Sequence, residues 1–259
     1  MAKILKEQES LNLVRFGSKK ISVDSKRSKI LKLFNSISSN YDNMNDIMSL
    51  GSHRLWKKDL VERLEFFRSH KNKKTVLDLA GGTGDIAFLI RERWPKNQVT
   101  VFDLSADMIN IGIKKSIKIN SIGNPNWVIG DAAYLPFKDS TIDIITCAFG
   151  IRNISDIEKT LAESYRVLKP GGKLLILEFS PEVISPFKKI YNFYLKNILP
   201  SLGKNIAKNE EAYQYLCDSI LYFYSPNVFS KMIKNSGFKN IKIIKYMGGI
   251  ACLYMAFRI

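Results

Sequence analysis

From residue 75 onward, the chain alternates short runs of β-branched and other apolar residues with stretches of helical periodicity. This alternation is typical of a parallel sheet whose two faces are covered by helices. Strands are expected at 75–79, 98–103, 127–130, 142–147 and 173–179, with helices between them at 85–93, 106–120 and 156–168. The last of these helices is expected to end before the Pro-Gly-Gly sequence at 170–172.

The end of the chain departs from this parallel pattern. A helix is expected at 227–235, followed by strands at 241–246 and 251–257. The connection 247–250 is too short for the crossover helix that parallel neighbours need, so these two strands must pair antiparallel. The sequence therefore predicts a doubly wound α/β fold whose mostly parallel sheet is closed by a C-terminal antiparallel hairpin.

Two segments lie outside the alternating pattern. Residues 1–25 are polar and basic and are expected to form a flexible arm, whereas 26–259 is expected to be one domain that begins with helices over 26–70. The insertion 180–224 is rich in aromatic residues, nine of which fall within 187–224. A helical cap is expected there, either simply packed on the domain or closing over an apolar substrate.

The charge of the chain is strongly positive and unevenly distributed. There are 40 Lys and Arg residues against 24 Asp and Glu, a formal net charge of +16. Most of the excess lies in the first 33 residues and after residue 187, which suggests an anionic partner such as a membrane surface or a nucleic acid. Because Lys greatly outnumbers Arg, a codon bias toward AT-rich DNA explains the same excess without any partner.

The sequence also constrains where the protein works and which metals it uses. No stretch approaches the ~18 to 20 apolar residues of a membrane-spanning helix, and the N-terminus lacks the apolar core of a signal peptide. A cytoplasmic protein is expected. Cys147, Cys217 and Cys252 are far apart, with no CxxC or Cys/His pairing, so neither a disulfide framework nor a metal site is predicted.

A glycine-rich turn follows the first strand of the alternating region, in the sequence Val-Leu-Asp-Leu-Ala-Gly-Gly-Thr-Gly-Asp over 76–85. Glycines at the carboxyl edge of such a sheet let the backbone approach a ligand closely. The candidate cofactor-binding residues of this turn are Gly81, Gly82, Thr83 and Gly84. The stretch 82–87 also satisfies a dinucleotide fingerprint, so the glycines alone leave NAD and S-adenosylmethionine both open.

Two acidic residues on later strands narrow this choice. Asp103 ends the second strand, where a carboxylate can accept hydrogen bonds from the two ribose hydroxyls of an adenosine. Asp131 follows the third strand, where it can accept a hydrogen from the adenine amino group while Ala132 offers its backbone N–H. Together with the closing hairpin, these positions favour S-adenosylmethionine.

Several sequence blocks, in this order, resemble those of the ubiquinone and menaquinone biosynthesis C-methyltransferases, a family of class I S-adenosylmethionine-dependent methyltransferases. The blocks are Tyr-Asp-Asn-Met-Asn-Asp at 41–46, His-Arg-Leu-Trp-Lys at 53–57, Ala-Gly-Gly-Thr-Gly-Asp at 80–85, Asp-Ala-Ala-Tyr-Leu-Pro-Phe at 131–137, Ala-Phe-Gly-Ile-Arg-Asn at 148–153, Tyr-Arg-Val-Leu-Lys-Pro-Gly-Gly-Lys at 165–173, Leu-Glu-Phe-Ser at 177–180 and Gly-Gly-Ile-Ala at 248–251.

The resemblance implies a Rossmann-like methyltransferase fold and methylation of a ring carbon of a polyprenylated hydroquinone, either 2-methoxy-6-polyprenyl-1,4-benzoquinol or demethylmenaquinol. It implies that Thr83, Asp103 and the pair Asp131 and Ala132 contact S-adenosylmethionine. Ala148 stands where some members carry a serine implicated in cofactor binding, so that contact is not expected here. Implied partners are the prenylated quinol, an anionic membrane surface and other enzymes of quinone biosynthesis, but no nucleic acid.

Candidate catalytic residues are few. A ring carbon becomes a good nucleophile only when the neighbouring phenol loses its proton, which calls for a base or a bridging water. Arg152 and Asn153 follow the fourth strand, where a guanidinium can stabilise a phenolate; the alternative is an ion pair with Asp156 or a similar carboxylate. His53 is a candidate base or a helix-start residue bonded to backbone. Tyr41 and Asp42 could close over the cofactor or cap a first helix.

Two other functions remain open on the sequence. The basic flanks also suit a methyltransferase that acts on RNA, DNA or another small molecule. A non-catalytic scaffold at a membrane would carry the same flanks.

Overall fold

The computed structural model describes residues 13–37, 45–46, 49, 51–64, 73–119, 124–185, 187–198 and 210–259. Its strands are β1 (Leu13–Phe16), β2 (Lys19–Ser22), β3 (Thr75–Leu79), β4 (Gln98–Asp103), β5 (Asn126–Ile129), β6 (Ile142–Ala148), β7 (Leu168–Phe179), β8 (Lys239–Tyr246) and β9 (Ala251–Phe257). Its α-helices are α1 (Val23–Ile37), α2 (His53–Glu62), α3 (Asp85–Arg93), α4 (Ala106–Ile119), α5 (Ile157–Val167), α6 (Phe187–Phe193), α7 (Glu210–Leu221) and α8 (Pro226–Asn235). Short 3₁₀-helical turns lie at Ile151–Asn153 and Met247–Gly249, and a π-helical turn lies at Tyr194–Ile198.

The main sheet has seven strands in the order β5-β4-β3-β6-β7-β9-β8. The pairs among β3 to β7 are parallel, whereas β9 pairs antiparallel with both β7 and β8. The predicted fold class is therefore confirmed, including its antiparallel C-terminal hairpin. The order reverses at β3, and in open α/β sheets the ligand lies at such a switch point, beyond the carboxyl ends of the strands.

Both faces of this sheet are buried, as a doubly wound fold requires. Val76 and Ile144 point to one face, where they pack in a cluster with residues of α2, α3 and α7. Leu77 and Ile145 point to the other face and pack with residues of α5 and α8. Successive side chains on a strand alternate between faces, so each strand contributes to both clusters.

Strand β7 is longer than expected from the sequence. It begins at Leu168, directly after α5, whereas 170–172 was expected to be a break. Leu168 pairs with Ile142 of β6, and the amide of Gly171 donates to the carbonyl of Arg258. These sheet-like hydrogen bonds at the end of the last strand hold the Pro-Gly-Gly segment in the ladder, a tertiary effect that local sequence does not carry.

The N-terminal region is ordered earlier than predicted. Residues 13–22 form the antiparallel hairpin β1-β2, and α1 begins at Val23, so the flexible arm expected over 1–25 is wrong for 13–25; residues 1–12 lie outside the described residues. The ring of Phe16 stacks on Tyr215 of α7 with centroids 4.5 Å apart. The hairpin is thus tied to the cap, a contact between distant parts of the chain.

The insertion after β7 forms the cap, whose described helices are α6 and α7. Tyr191, Tyr213 and Tyr215 are buried in it. Among the described residues, no helix is both long and apolar enough to cross a membrane.

Candidate active site

A cleft opens at the carboxyl edge of the sheet, beyond β3, β4, β5 and β6, and α1 covers it. Its empty space, including the open mouth, is about 700 Å³. The lining residues are Ile30, Leu31, Phe34, Ala80, Gly82, Phe102, Asp103, Leu104, Ser105, Met108, Gly130, Asp131, Ala132, Phe149, Gly150, Asn153, Ile154 and Ser155. Four of the predicted cofactor-binding residues, Gly82, Asp103, Asp131 and Ala132, therefore line one cavity.

Asp103 lies at the centre of this cavity. Its Oδ2 accepts a hydrogen bond of 2.8 Å from the Gly82 amide, and its Oδ1 accepts one of 2.8 Å from the Ser105 amide. Burial raises the pKa of Asp103, although these backbone hydrogen bonds oppose the shift. A carboxylate has about four acceptor positions, so this one, held rigidly by the backbone, can still accept from two ribose hydroxyls.

The glycines of the turn have separate roles. A Cβ on Gly81 would lie 2.8 Å from both Asp78 Oδ2 and Val101 Cγ1, so that position has no room for a side chain. Gly82 has a φ of +55° and lines the cavity. Gly84, also at positive φ, instead lies against the ring of Trp127, where a Cβ would approach to 2.6 Å. Gly84, a predicted cofactor-binding residue, lies in the close packing of α3 against β5 and is not among the residues that line either cavity.

The other end of the cavity is bounded by Asp131 and Ala132. Asp131 Oδ1 accepts from the Ala133 amide at 3.0 Å, and Oδ2 lies 3.3 Å from Arg27 Nε. Arg27 belongs to α1, whose Asn35 Oδ1 accepts a hydrogen bond from Ser105 Oγ at 2.8 Å. The two contacts attach α1 to both ends of the cleft.

A second, smaller cavity lies on the opposite side of the glycine-rich turn and is lined by Lys57, Asp78, Thr83 and Asp85, among others. Lys57 Nζ donates to Asp85 Oδ2 at 2.8 Å. Burial would raise the pKa of Asp85, but the Lys57 ammonium outweighs it and holds the pKa below its usual value. The small cavity therefore contains a buried cation and two acids.

Asp78 is the most perturbed of these groups. Its Oδ1 accepts from Thr146 Oγ1 at 2.9 Å, while its buried Oδ2 has no hydrogen-bond partner. Burial raises the pKa of Asp78 to about 7, against the opposing effect of the Thr146 hydrogen bond. A buried polar atom without a partner is costly, so this oxygen is well suited to accept a hydrogen bond from a ligand.

The two cavities fit S-adenosylmethionine. The larger one presents a backbone-held carboxylate to a ribose and a polar end to an adenine, while the smaller one presents opposite charges that match the ammonium and carboxylate of an amino acid. Ala80 lines both, so the two cavities meet at the turn.

Arg152 and Asn153 are adjacent in sequence but differ in surroundings. Asn153 lines the larger cavity, and its Oδ1 accepts a hydrogen bond of 3.1 Å from the Tyr215 hydroxyl. The Arg152 guanidinium instead forms a buried ion pair with Glu178, with Nη1 2.7 Å from Oε1 and side-chain exposures of 2% and 0%. The ion-pair alternative considered from the sequence is thus the one observed, with Glu178 rather than Asp156 as the partner.

Further hydrogen bonds make Arg152 a structural link between the site and the cap. Nη1 donates to the Phe149 carbonyl at 2.6 Å and Nε donates to Ser219 Oγ of α7 at 3.2 Å. Burial raises the pKa of Glu178, and the guanidinium opposes that shift. The turn that carries Asn153 is therefore held from inside the protein.

Lys26 secures α1 to the same turn. Its Nζ donates to the carbonyl of Ile154 at 2.7 Å and more weakly to that of Arg152 at 3.4 Å. Burial lowers the pKa of Lys26 to about 8.

His53 lines neither cavity. It is the first residue of α2, its amide donates to Ser49 Oγ, and its Nε2 lies 2.8 Å from Asp46 Oδ1. Burial lowers the pKa of His53, against the opposing effect of Asp46, and Nδ1 is buried without a partner. The ring is therefore neutral at physiological pH. Tyr41 and Asp42 lie outside the described residues.

The sequence matches the model of the ubiE/COQ5 methyltransferase family over residues 22–258. The chain belongs to this family. It is 40% identical to the ubiquinone/menaquinone biosynthesis C-methyltransferase UbiE of Psychromonas ingrahamii over 95% of this chain and 97% of that protein. It is 41% identical to the protein of the same name from Rickettsia prowazekii, over 94% and 98% of the two chains.

Family membership confirms the resemblance seen in the sequence and the expected enzyme class, a methyltransferase that uses S-adenosylmethionine. A solved SAM-dependent methyltransferase from Aquifex aeolicus shares the fold, with a TM-score of 0.53 and 20% identity over 77% of this chain and 89% of that chain. The individual site residues stay predictions, because none of these comparisons tests them.

Three charged residues of the site were not predicted from the sequence, namely Asp78, Lys57 and Glu178. Asp78 interrupts an otherwise apolar strand, and a buried acid in such a strand is a signal of function. Lys57 and Glu178 stood in the sequence blocks that carried the resemblance, but no local pattern showed that both would be buried. Their partners, Asp85 and Arg152, are 28 and 26 residues away.

Proposed function

We propose that this chain transfers a methyl group from S-adenosylmethionine to a ring carbon of a polyprenylated hydroquinone in the biosynthesis of ubiquinone, menaquinone or both. The observation that carries the proposal is the identity of about 40% with relatives named for this reaction, over nearly the full length of both chains. The cavity around Asp103 supports it, because its polar groups suit the nucleoside of the cofactor.

Each part of the cofactor has a proposed set of contacts. Asp103 accepts hydrogen bonds from the ribose hydroxyls, Asp131 accepts one from the adenine amino group, and the Ala132 amide donates to the ring. Asp78 accepts from the ammonium group, and Lys57 pairs with the carboxylate of the amino-acid end. When bound, the cofactor supplies an electrophilic methyl group on a sulfonium.

The acceptor ring must be activated before it can attack. Loss of a phenol proton would place electron density on the neighbouring ring carbon, which would form the new carbon–carbon bond as the methyl–sulfur bond breaks and S-adenosylhomocysteine leaves. The methylated ring carbon would then lose its own hydrogen as a proton, which restores the aromatic ring. Asn153 is the proposed contact for the phenolate. The Tyr215 hydroxyl donates to its Oδ1 and so orients the amide, whose Nδ2–H groups can donate to an oxyanion.

Arg152 and His53 have different proposed roles in the same reaction. Because the Arg152 guanidinium binds Glu178 and the Phe149 carbonyl, we assign it to positioning the turn that carries Asn153. We propose that His53 acts as the base through a bridging water, because the ring lines neither cavity. Burial favours its neutral form and Nδ1 has no partner, so this nitrogen can take up the proton that the water relays.

An aromatic cluster next to the cavity suits the ring and the start of its prenyl chain. Phe149, which lines the cavity, lies 4.6 Å from Phe179 and 6.2 Å from Trp56 between ring centroids. Trp56 in turn stacks on Tyr246 at 5.9 Å. Phe149 is the member of this cluster that lines the cavity, and it offers an apolar aromatic wall against which the ring can pack.

The proposal is tested by quinone analysis with mass spectrometry in a bacterial strain that lacks its own quinone C-methyltransferase. The wild-type gene is expected to restore ubiquinone, menaquinone or both, which names the ring. Asp103→Ala is expected to abolish restoration and cofactor binding by calorimetry, whereas Asp107→Ala, an exposed acid on α4, leaves both intact. If the wild-type protein is folded and binds the cofactor but restores neither quinone, the proposal is wrong and the methyl acceptor is another molecule.

We also propose that the protein works as a peripheral protein on the inner face of the cell membrane, where a prenylated substrate accumulates, and in contact with other enzymes of the same pathway. The excess of Lys after residue 187 supports attraction to anionic lipid.

A further inference from the structure

Three large apolar side chains are exposed together near the cap. Ile184, Phe187 and Met247 are 55%, 55% and 56% exposed. A Cβ placed on Gly248 would lie 2.9 Å from Ile184 Cγ1 and 3.8 Å from Phe187 Cδ2, so both side chains lie over the turn that contains Met247. Ile184 and Phe187, together with Met247 of this turn, are called the edge patch below.

The edge patch has a fixed position in the fold. The Ile184 amide donates to the Gly248 carbonyl at 2.9 Å, which joins the start of the cap to the turn between β8 and β9. Ala251 pairs with Phe179 at the end of β7 and with Tyr246 at the end of β8. The turn therefore lies at the carboxyl edge of the sheet, the same edge at which the cavity opens.

The charges around the edge patch are mainly positive. Lys188 and Lys189 follow Phe187 directly in the sequence, and Lys245 lies two residues before Met247; all three lysines are exposed. Glu182, two residues before Ile184, is an exposed acid of the same region. Phe193, also exposed, is four residues from Lys189 on α6 and so shares its face. Apolar side chains among lysines are the arrangement of surfaces that bind anionic membrane interfaces.

We propose that the edge patch docks this protein on an anionic lipid bilayer, with Phe187 and Met247 entering the interface and the three lysines contacting lipid headgroups. The inference rests on the proposed function, because a prenylated acceptor partitions into the bilayer. Docking through this edge brings the mouth of the catalytic cavity toward the lipid surface. The competing occupant is a second copy of this chain, but it would bring the lysines of two patches together, which like-charge repulsion disfavours.

The test is co-sedimentation with vesicles of pure phosphatidylcholine and of phosphatidylcholine with anionic phosphatidylglycerol. Wild type is expected to bind the anionic vesicles, and less so as salt rises. Lys188→Gln/Lys189→Gln is expected to lower that binding about 30-fold, since each lysine near an anionic surface contributes about fivefold. Phe187→Ser/Met247→Gln is expected to lower it at least about tenfold, by loss of apolar insertion.

Matched controls sit at the opposite edge of the sheet. Ile259→Ser removes an exposed apolar side chain just after the end of β9, and Lys234→Gln/Lys239→Gln removes two exposed lysines near the start of β8. Both control proteins are expected to bind like wild type. Lys188→Gln/Lys189→Gln and Lys234→Gln/Lys239→Gln remove the same amount of charge. If both double variants lose vesicle binding equally, net charge alone attracts the protein to the membrane, and that result overturns the proposal.

Methyl transfer to a short-chain, water-soluble quinol separates this inference from the proposed function. Every surface variant is expected to keep wild-type turnover without vesicles, which also shows that it is folded. If the wild-type protein methylates the soluble quinol but does not bind vesicles, the docking proposal is wrong and the proposed reaction is unaffected. A wild-type dimer in solution that dissociates in Phe187→Ser/Met247→Gln, together with absent lipid binding, would instead assign the patch to a second copy.

Discussion

The buried pair of Arg152 and Glu178 makes a quantitative prediction about stability. Glu178→Gln keeps the shape of the side chain but leaves the guanidinium charge buried at 2% exposure without its counter-charge. Breaking a buried pair in this way costs about 3 to 5 kcal/mol of the free energy of unfolding. With a urea m-value of about 3 kcal/mol per M, the midpoint of unfolding is expected to fall by about 1 to 1.7 M.

A double-mutant cycle isolates the charge pair from its surroundings. Arg152→Met alone removes the bonds to the Phe149 carbonyl and Ser219 Oγ as well as the pair. In Arg152→Met/Glu178→Gln, no unpaired charge remains, and the side-chain amide introduced at position 178 can still accept from a backbone N–H. The double variant is therefore expected to lose less than the sum of the singles by about 2 kcal/mol.

The assay is urea denaturation followed by fluorescence and circular dichroism at pH 7, with S-adenosylmethionine affinity measured on the same proteins. Because the guanidinium does not line the cofactor cavity, the affinity of the folded double variant is expected to match wild type. A loss below about 1 kcal/mol in Glu178→Gln, or strict additivity in the cycle, would refute the argument that this pair holds the turn beside Asn153.

Three further predictions concern Asp78, Lys26 and Gly81. Affinity for S-adenosylmethionine is expected to rise as pH increases through about 7, where Asp78 loses its proton, and calorimetry of Asp78→Asn should show a flat profile. The pKa of Lys26 is about 8 in the folded protein and about 10.4 in the unfolded chain. Between these pH values the unfolded chain binds more protons than the folded protein, so the free energy of unfolding is expected to rise with pH, by up to about 3 kcal/mol. Lys26→Met should flatten that rise in urea titrations at pH 7.5 to 10.5, and an unchanged slope would show that Lys26 is not the group responsible. Gly81→Ala is expected to destabilise the protein by about 1 to 3 kcal/mol and to weaken cofactor binding, because the added Cβ meets Asp78 and Val101 at 2.8 Å; wild-type thermal stability and affinity in this variant would contradict the close packing of the turn.

Much of the sheet could be predicted because its signals are local. The strands at Thr75–Leu79 and Gln98–Asp103 and the helix at Asp85–Arg93 have the bounds expected from periodicity and from their flanking Gly and Pro residues. The antiparallel hairpin followed from the length of one connection. Asp103 could be placed beside the glycine-rich turn, because a strand end and such a turn imply the same sheet edge.

Local patterns were therefore enough to predict the order of strands and helices from residue 75 onward, the family, and the positions where the cofactor is expected. They did not show that β7 extends back to Leu168, that an N-terminal hairpin packs on the cap, or that the Arg152 side chain points to Glu178 rather than into the cavity. Each of these depends on contacts between residues far apart in sequence, such as Phe16 with Tyr215. The physical reason is that periodicity and turn chemistry act over a few neighbours, whereas burial and ion pairing depend on which distant surfaces meet.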